Sequence, residues 1–167
     1  DLENSVRSSL VQVLVLSGDV PAARREFDLI MKSRPLAGKV QLAYVQLLRL
    51  EGRLDEGLVE IEQYLAKSGS NSESLRLRGI LLIDVGKPEL AVAELKQSVA
   101  LNPYDIGAHH KLAQAYQQIG DPGSAKPHLE RAQKLTDAIY RISEVQQRVR
   151  AEPTNAEAIQ ELKELNA

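Results

Sequence analysis

Residues 106–135 read IGAHHKLAQAYQQIGDPGSAKPHLERAQKL, and this stretch decides the fold class. Apolar side chains recur every three or four residues before Gly120, as expected for a helix with one buried face. Gly120 then supplies the left-handed residue that commonly ends a helix. Asp121 and Pro122 restart the chain, because Asp caps free N–H groups and Pro suits the first helical turn. The stretch therefore predicts two helices joined by a tight turn, that is, a helical hairpin.

The same hairpin pattern recurs every 34 residues along the chain. Its turn glycines are Gly18, Gly52, Gly86 and Gly120. Five residues after each glycine stands a small residue, namely Ala23, Gly57, Ala91 or Ala125. Four residues further on stands a large apolar residue, namely Phe27, Ile61, Leu95 or Leu129. Because small side chains let two helices approach closely, the sequence predicts four hairpins whose closest contacts lie at the small positions.

These residues resemble the tetratricopeptide repeat family, whose 34-residue unit carries bulky, small, Tyr, Gly, Ala and large apolar residues at set places. The fourth unit matches well, through Leu112-Ala113, Tyr116, Gly120, Ala125, Leu129 and Ala132. The resemblance implies an all-α fold, a right-handed α-solenoid of helix-turn-helix repeats whose first helices line a concave groove. We predict four such units within residues 1–139, at about 4–37, 38–71, 72–105 and 106–139.

Residues 140–167 do not continue the repeat register and are predicted to form C-terminal capping helices. Asp137 is a candidate N-cap for a helix over 138–151. The segment Thr154-Asn155-Ala156-Glu157 reads as a capping box that starts a last helix. A terminal repeat exposes an apolar face that a more polar helix covers, so we expect the 138–151 helix to cover the fourth unit.

One proline falls inside a predicted helix. Pro127 lies in the second helix of the fourth unit. If that helix begins near Ser124, Pro127 stays in the first turn, where its missing N–H costs nothing. If the helix begins at Pro122, Pro127 removes one backbone hydrogen bond. The sequence leaves both starting points open.

Composition argues against several other classes of protein. Lys plus Arg number 21 and Asp plus Glu 23, so the net charge of −2 lacks the basic surplus that nucleic-acid binders use. Without cysteine, the chain has no disulfide, thiolate metal site or Cys nucleophile. No apolar run approaches the about 20 residues that cross a bilayer. We therefore expect no nucleic-acid partner and no membrane insertion by this segment, and the compartment stays open between cytoplasm and export.

The three histidines, His109, His110 and His128, are the candidates for chemistry. Adjacent helical residues point about 100° apart, so His109 and His110 do not chelate one ion together. His109 and His128 can meet across the helix pair, either at a metal ion or, as the favoured interpretation, as a partly buried histidine beside a solvated one. The chain has no His-Glu-x-x-His motif, phosphate-binding glycine loop or nucleophile elbow. We therefore expect no enzyme activity, no catalytic residue, no metal site and no cofactor.

The resemblance implies that positions two, five, nine and twelve of each unit face the groove. Eight residues at these positions form the candidate partner-binding site: Gln12, Gln46, Arg49, Arg76, Ile80, His110, Gln114 and Gln117. Glutamine suits an extended peptide backbone, because its amide both donates and accepts hydrogen bonds. Arg49 and Arg76 can hold a carboxylate, and Ile80 offers an apolar contact. The alternative is that these are ordinary exposed residues of helix faces.

The sequence thus predicts a non-catalytic protein–protein interaction scaffold that binds a protein or peptide partner in the groove. The alternative is a structural spacer or self-association segment of a longer multi-repeat protein, with a homo-oligomer as one possible form. That alternative depends on the missing initiator Met and on the start of the chain inside a predicted helix. Ala-rich, Arg-containing helices favour a bacterial source.

Overall fold

The computed structural model describes residues 2–31 and 38–165, with the side chains of 6–31 and 38–165. Every regular element in that part of the chain is an α-helix, which confirms the predicted all-α repeat fold. In chain order the helices are α1 (Leu2–Ser17), α2 (Val20–Met31), α3 (Lys39–Leu50), α4 (Leu54–Ser68), α5 (Ser72–Asp84), α6 (Pro88–Leu101), α7 (Ile106–Gln118), α8 (Pro122–Ala151) and α9 (Ala156–Leu165). None of these helices is both long and apolar enough to cross a membrane. The predicted end of the first unit, at about residue 37, lies outside the described residues.

Four hairpins, α1/α2 to α7/α8, share one turn geometry. Their first helices end at glycines with φ of 75° to 78°, namely Gly18, Gly52, Gly86 and Gly120. In the last turn the Gly120 amide donates to the Gln117 carbonyl over 3.1 Å. The Asp121 amide donates to the Tyr116 carbonyl over 2.9 Å. This pair of bonds is the Schellman arrangement, in which a residue without Cβ adopts the left-handed conformation at least cost.

The small residues five positions after each glycine are all buried. Ala23 and Ala91 are fully buried, and Ala125 is 1% exposed. Gly57 is also buried, and a Cβ built on it would lie 3.2 Å from Leu81 Cδ2. The four positions predicted for close helix contacts therefore lie in the packed interior.

The apolar core is distributed between successive hairpins. Phe27, Ile61 and Leu95, the large apolar residues of the first three hairpins, are each at most 1% exposed. Leu95 of α6 packs in one cluster with Leu112 and Ala115 of α7. Burying a side chain of this size stabilises the fold by roughly 1.5–3 kcal/mol. Each second helix is thus held by the first helix of the next hairpin, as in other solenoids.

The C-terminal region differs from the prediction, because α8 runs without a break from Pro122 to Ala151. Asp137 does not cap a separate helix; its carboxylate accepts a hydrogen bond from Gln133 Nε2 over 2.7 Å. Neither glycine nor proline occurs over residues 128–152, so nothing ends the helix there. The expectation that a 138–151 helix folds over the fourth unit is therefore wrong.

The last helix, α9, returns along the distal half of α8. Val145 of α8 and Ala158 of α9 are fully buried where the two helices meet. The cap of α9 also differs from the prediction, since Asn155 rather than Thr154 accepts the hydrogen bond, from the Ala158 amide over 2.9 Å. The Arg148 guanidinium donates to the Glu161 carboxylate over 2.8 Å and joins the two helices again.

The structure decides between the two starting points of the proline-containing helix. Because α8 begins at Pro122, Pro127 lies in its second turn. Pro127 has no N–H to donate to the Gly123 carbonyl, so α8 lacks one backbone hydrogen bond near its start.

Candidate functional site

Three first helices, α1, α3 and α5, together form an inner face. Five of the eight predicted groove residues meet there: Gln12, Gln46, Arg49, Arg76 and Ile80. One depression on this face is lined by Gln12, Leu16, Lys39, Ala43, Gln46 and Glu73. A second is lined by Val15, Leu16, Gln46, Arg49, Leu50, Arg76, Leu77 and Ile80. Because Leu16 and Gln46 belong to both, the two depressions form one continuous surface, which we call the inner groove.

Leu16 is the most exposed of the apolar groove residues that the sequence analysis missed. It is 80% exposed, although it is a large apolar side chain on the wall shared by both depressions. Leu50, 34 residues later in the chain, occupies the same repeat position and is 42% exposed. The sequence contained a signal for this residue, because leucine occupies the same repeat position in the first two units although that position is not part of the repeated core pattern. Two exposed leucines give the inner groove an apolar strip.

The two arginines of the inner groove already pair with carboxylates of their own chain. Arg49 Nε donates to Asp84 Oδ2 over 2.6 Å. Arg76 Nε lies 2.9 Å from Asp105 Oδ2, although that N–H makes no hydrogen bond. Each pair joins one hairpin to the next. A partner carboxylate would have to displace Asp84 or Asp105, so carboxylate binding here stays a prediction.

The two glutamines of the inner groove differ in how many of their amide groups are free. Gln12 Nε2 donates to the Ser8 carbonyl over 3.2 Å, one turn back on α1. The Gln46 amide makes no side-chain hydrogen bond to the part of the chain that the structure describes. Gln46 is half-buried in the shared wall, so its donors and acceptor face the groove without a partner from this part of the chain.

The other three predicted groove residues lie on α7 and line neither of the two depressions. His110 and Gln117 are exposed to solvent. Gln114 accepts a hydrogen bond from Lys111 Nζ over 2.9 Å. The structure therefore does not bring His110, Gln114 and Gln117 into the inner groove.

His109 and His128 meet across the fourth hairpin, as predicted, with their Nδ1 atoms 3.1 Å apart. His109 Nε2 lies 3.2 Å from the Pro103 carbonyl, which only accepts, so this nitrogen carries the proton. His109 Nδ1 therefore accepts from His128 Nδ1. Burial lowers the pKa of His128, and the nearby His109 and Lys96 lower it further. Within residues 2–31 and 38–165, no third His, Cys, Asp or Glu completes a metal-ligating group with them.

Part of the chain is similar in sequence to known proteins. Residues 106–138 match the family model described as Tetratricopeptide repeat. A stretch of 60 residues, 36% of the chain, is 42% identical to cellulose synthase operon protein C of Escherichia coli strain K12. The putative cellulose synthase operon protein C of Escherichia coli O157:H7 matches equally well. The matched stretch spans 5% of the length of each of these relatives.

Solved structures share the fold over more of the chain. A thermophilic tetratricopeptide-repeat protein of Thermus thermophilus superimposes with a TM-score of 0.72 at 14% identity, covering 97% of this chain and 98% of that one. MamA (41-end) of Desulfovibrio magneticus RS-1 gives 0.67 at 19% identity, covering 81% and 76%. Repeat proteins with this fold are in general protein-interaction scaffolds. Residues 106–138 thus match a tetratricopeptide repeat, and the chain as a whole shares the fold of tetratricopeptide-repeat proteins.

Proposed function

We propose that this chain is a non-catalytic scaffold whose inner groove binds an extended segment of a partner protein. The observation that carries the proposal is Leu16, which is 80% exposed on the wall shared by both depressions. Covering such an apolar side chain with a partner stabilises the complex by roughly 25 cal/mol for each Å² removed from water.

The polar residues of the inner groove favour a partner that is extended and carries little net charge. The Gln46 amide can donate to and accept from the backbone of an extended segment, whatever its sequence. The Arg49–Asp84 and Arg76–Asp105 pairs largely cancel in charge. The partner is therefore recognised by its backbone and by an apolar side chain over Leu16. A single short segment of this kind binds with a Kd in the micromolar range, roughly −8 kcal/mol.

Selection from a random peptide library displayed on phage tests the proposal, with the folded 167-residue chain as bait. Affinities of the enriched peptides are then measured by fluorescence anisotropy against variants. We expect Leu16→Glu to weaken binding at least about tenfold, which is 1.4 kcal/mol. We expect Gln46→Ala to weaken it about fivefold, since one hydrogen bond contributes about 1 kcal/mol.

Leu101→Glu is the matched control, because Leu101 is 59% exposed at the end of α6 and lies in neither depression. This variant should bind the peptides as the parent chain does. The proposal fails if no peptide is enriched. It also fails if Leu16→Glu binds as well as Leu101→Glu.

A further inference from the structure

One polar position recurs in the second helix of every hairpin, three residues after the small residue. It holds Glu26, Glu60, Glu94 and His128. In the first hairpin Glu26 accepts from Arg7 of α1 over 2.8 Å. In the third hairpin Glu94 accepts from Arg78 of α5 over 3.1 Å. The fourth hairpin has the histidine pair at this position. In these three hairpins the first helix therefore supplies a partner for the polar side chain.

The second hairpin is the exception, because α3 carries no arginine at either of the two matching positions. Tyr44 occupies the repeat position of Arg78, and Gln41 occupies that of Arg7. Gln41 Nε2 donates to the backbone carbonyl of Glu60, over 3.5 Å, and not to its carboxylate. Within residues 2–31 and 38–165 the Glu60 carboxylate has no hydrogen-bond or ion-pair partner.

Glu60 lines a pocket of about 250 Å³ on the second hairpin. Three apolar or aromatic residues of α3 and α4 and three acidic residues of α4 form its walls: Tyr44, Leu48, Val59, Asp55, Glu56 and Glu60. We call these six residues the α4 pocket. Glu56 pairs with Arg53 over 2.6 Å, whereas Asp55 and Glu60 have no counter-ion in the described part of the chain. Pockets for drug-sized ligands measure roughly 300–1,000 Å³, so this smaller one suits a single side chain.

The walls of the α4 pocket favour a flat cation on an apolar stem. Val59 is 57% exposed, so the methylene groups of a long side chain can cover it. Tyr44 stacks on Phe27 with ring centroids 4.0 Å apart, which fixes the orientation of its ring. The guanidinium of Arg24 lies 5.5 Å from the centre of the same ring but pairs with Glu51. The protein thus already holds one guanidinium beside this ring, and Glu60 stays without a cation.

We propose that the α4 pocket binds an arginine side chain of a partner protein, whose guanidinium pairs with the Glu60 carboxylate. Arg7 and Arg78 form this pair within the first and third hairpins, and in the second hairpin the partner supplies the cation. Arginine suits the pocket better than lysine, because its planar guanidinium donates two parallel hydrogen bonds to a carboxylate and stacks on aromatic rings. The charge of α4 favours the same partner, since the helix has four acidic residues and one lysine.

The α4 pocket is separate from the inner groove, because none of its six residues lines either depression. The two sites can therefore be tested one at a time. A failure of the α4 pocket leaves the proposed function of the inner groove standing, and the reverse also holds.

An NMR titration of the ¹⁵N-labelled 167-residue chain tests the proposal. The probe is the peptide Gly-Ala-Arg-Ala-Gly, acetylated and amidated so that arginine carries its only charge. We expect saturable shifts of the amide signals around Val59 and Glu60, with a Kd in the millimolar range, since one side chain makes few contacts. The same peptide with citrulline, which has the shape of arginine without its charge, should not bind. The peptide with lysine should bind more weakly than the arginine peptide.

Two variants test the role of Glu60. Glu60→Gln keeps the shape of the side chain and removes its charge, so it should weaken binding of the arginine peptide at least about tenfold. Tyr44→Arg should abolish binding, because it places an arginine of α3 opposite Glu60, as Arg78 is placed opposite Glu94.

Glu89→Gln is the matched control, because Glu89 is exposed in the first turn of α6 and lies outside the α4 pocket. It should bind the arginine peptide as the parent chain does, and circular dichroism should show equal helix content in all variants. If Tyr44→Arg loses helix content, Glu60→Gln decides alone.

Four results would overturn the proposal. They are a parent chain that does not bind the arginine peptide, a citrulline peptide that binds equally well, a lysine peptide that binds as tightly as the arginine peptide, and a Glu60→Gln variant that binds as well as Glu89→Gln.

Discussion

Leu95 and Leu129 occupy the same position in the third and fourth hairpins, yet one is fully buried and the other is 38% exposed. The difference comes from the helix that comes next in the chain. Leu112 and Ala115 of α7 lie against Leu95. After the fourth hairpin α8 continues straight, and α9 contacts only its distal half. In this array a residue at this position is therefore buried by the next hairpin along the chain.

The largest effect that tests this comparison is expected from Leu95→Ala. The substitution leaves a cavity between α6 and α7, so the free energy of unfolding should fall by about 2–5 kcal/mol. Leu129→Ala is the matched control at the same repeat position and should cost less than about 1 kcal/mol, because its side chain already contacts water. Urea unfolding followed by circular dichroism measures both. Equal losses would contradict the comparison.

A second substitution reaches the same contact from the opposite side. A Cβ on Gly79 would lie 2.6 Å from Leu95 Cγ, which is buried and has no space to move. Gly79→Ala should therefore lower the free energy of unfolding by about 1–3 kcal/mol. At Gly57 the nearest atom is Leu81 Cδ2, 3.2 Å away, so the neighbour has to shift far less than at Gly79, and alanine gains about 1 kcal/mol of helix propensity. Gly57→Ala should thus be close to neutral in the same urea titration.

The second helices of the third and fourth hairpins, α6 and α8, also differ in backbone hydrogen bonding. Ala93 of α6 occupies the repeat position that Pro127 holds in α8. Pro127→Ala restores a donor for the Gly123 carbonyl, so thermal unfolding should show a gain of about 1 kcal/mol. Pro122→Ala, at the first helical position, should give no gain, because no donor is needed there. A gain from both would mean that the missing hydrogen bond at Pro127 is not the cause.

The smallest effect concerns a polar contact between the two helices of a hairpin. The first and fourth hairpins each have one, at equivalent repeat positions, but with different residues. Arg7 pairs with Glu26 over 2.8 Å in the first hairpin, whereas His109 contacts His128 in the fourth. Burial keeps the pKa of His128 below its ordinary value of 6.5. At pH values between the folded-state pKa and 6.5, the unfolded chain therefore binds more protons than the folded chain. Stability from this contact is therefore complete above pH 6.5 and is lost as the pH falls through the lower, folded-state pKa.

Melting temperatures measured at about pH 7.5 and about pH 5.5 test that direction. The parent chain should melt lower at the acid pH. His128→Gln removes this one titrating group, so its melting temperature should depend less on pH. If the melting temperatures of both chains fell equally between the two pH values, other residues would cause the acid sensitivity.

The parts of the fold that were predictable depend on sterics within one repeat unit. Gly120 and Ala125 each occupy a place where a larger side chain is costly, so their spacing alone located a turn and a helix contact. The continuity of α8 was not predictable in this way. Asp137 resembles an N-cap, but a cap residue does not end the preceding helix unless a breaker accompanies it.

The candidate site was predictable in its α1, α3 and α5 part and less so elsewhere. Gln46 and Ile80 were placed on this face by the repeat register together with the family resemblance, and both line a depression. The pairing of Arg49 with Asp84, 35 residues later, was not, because the register gives facing directions and not the partners that neighbouring units supply. Leu16 was missed for a related reason, since its position lies outside the four that the family resemblance assigns to the groove.

The unbroken α8 has a mechanical consequence. Thirty residues of helix form a rod of roughly 45 Å, which is far stiffer than two shorter helices joined by a turn. A force applied at α9 is therefore transmitted along the rod to the fourth hairpin. The distal half of α8 then acts as a lever arm that projects from the fourth hairpin, where α7 holds the proximal half.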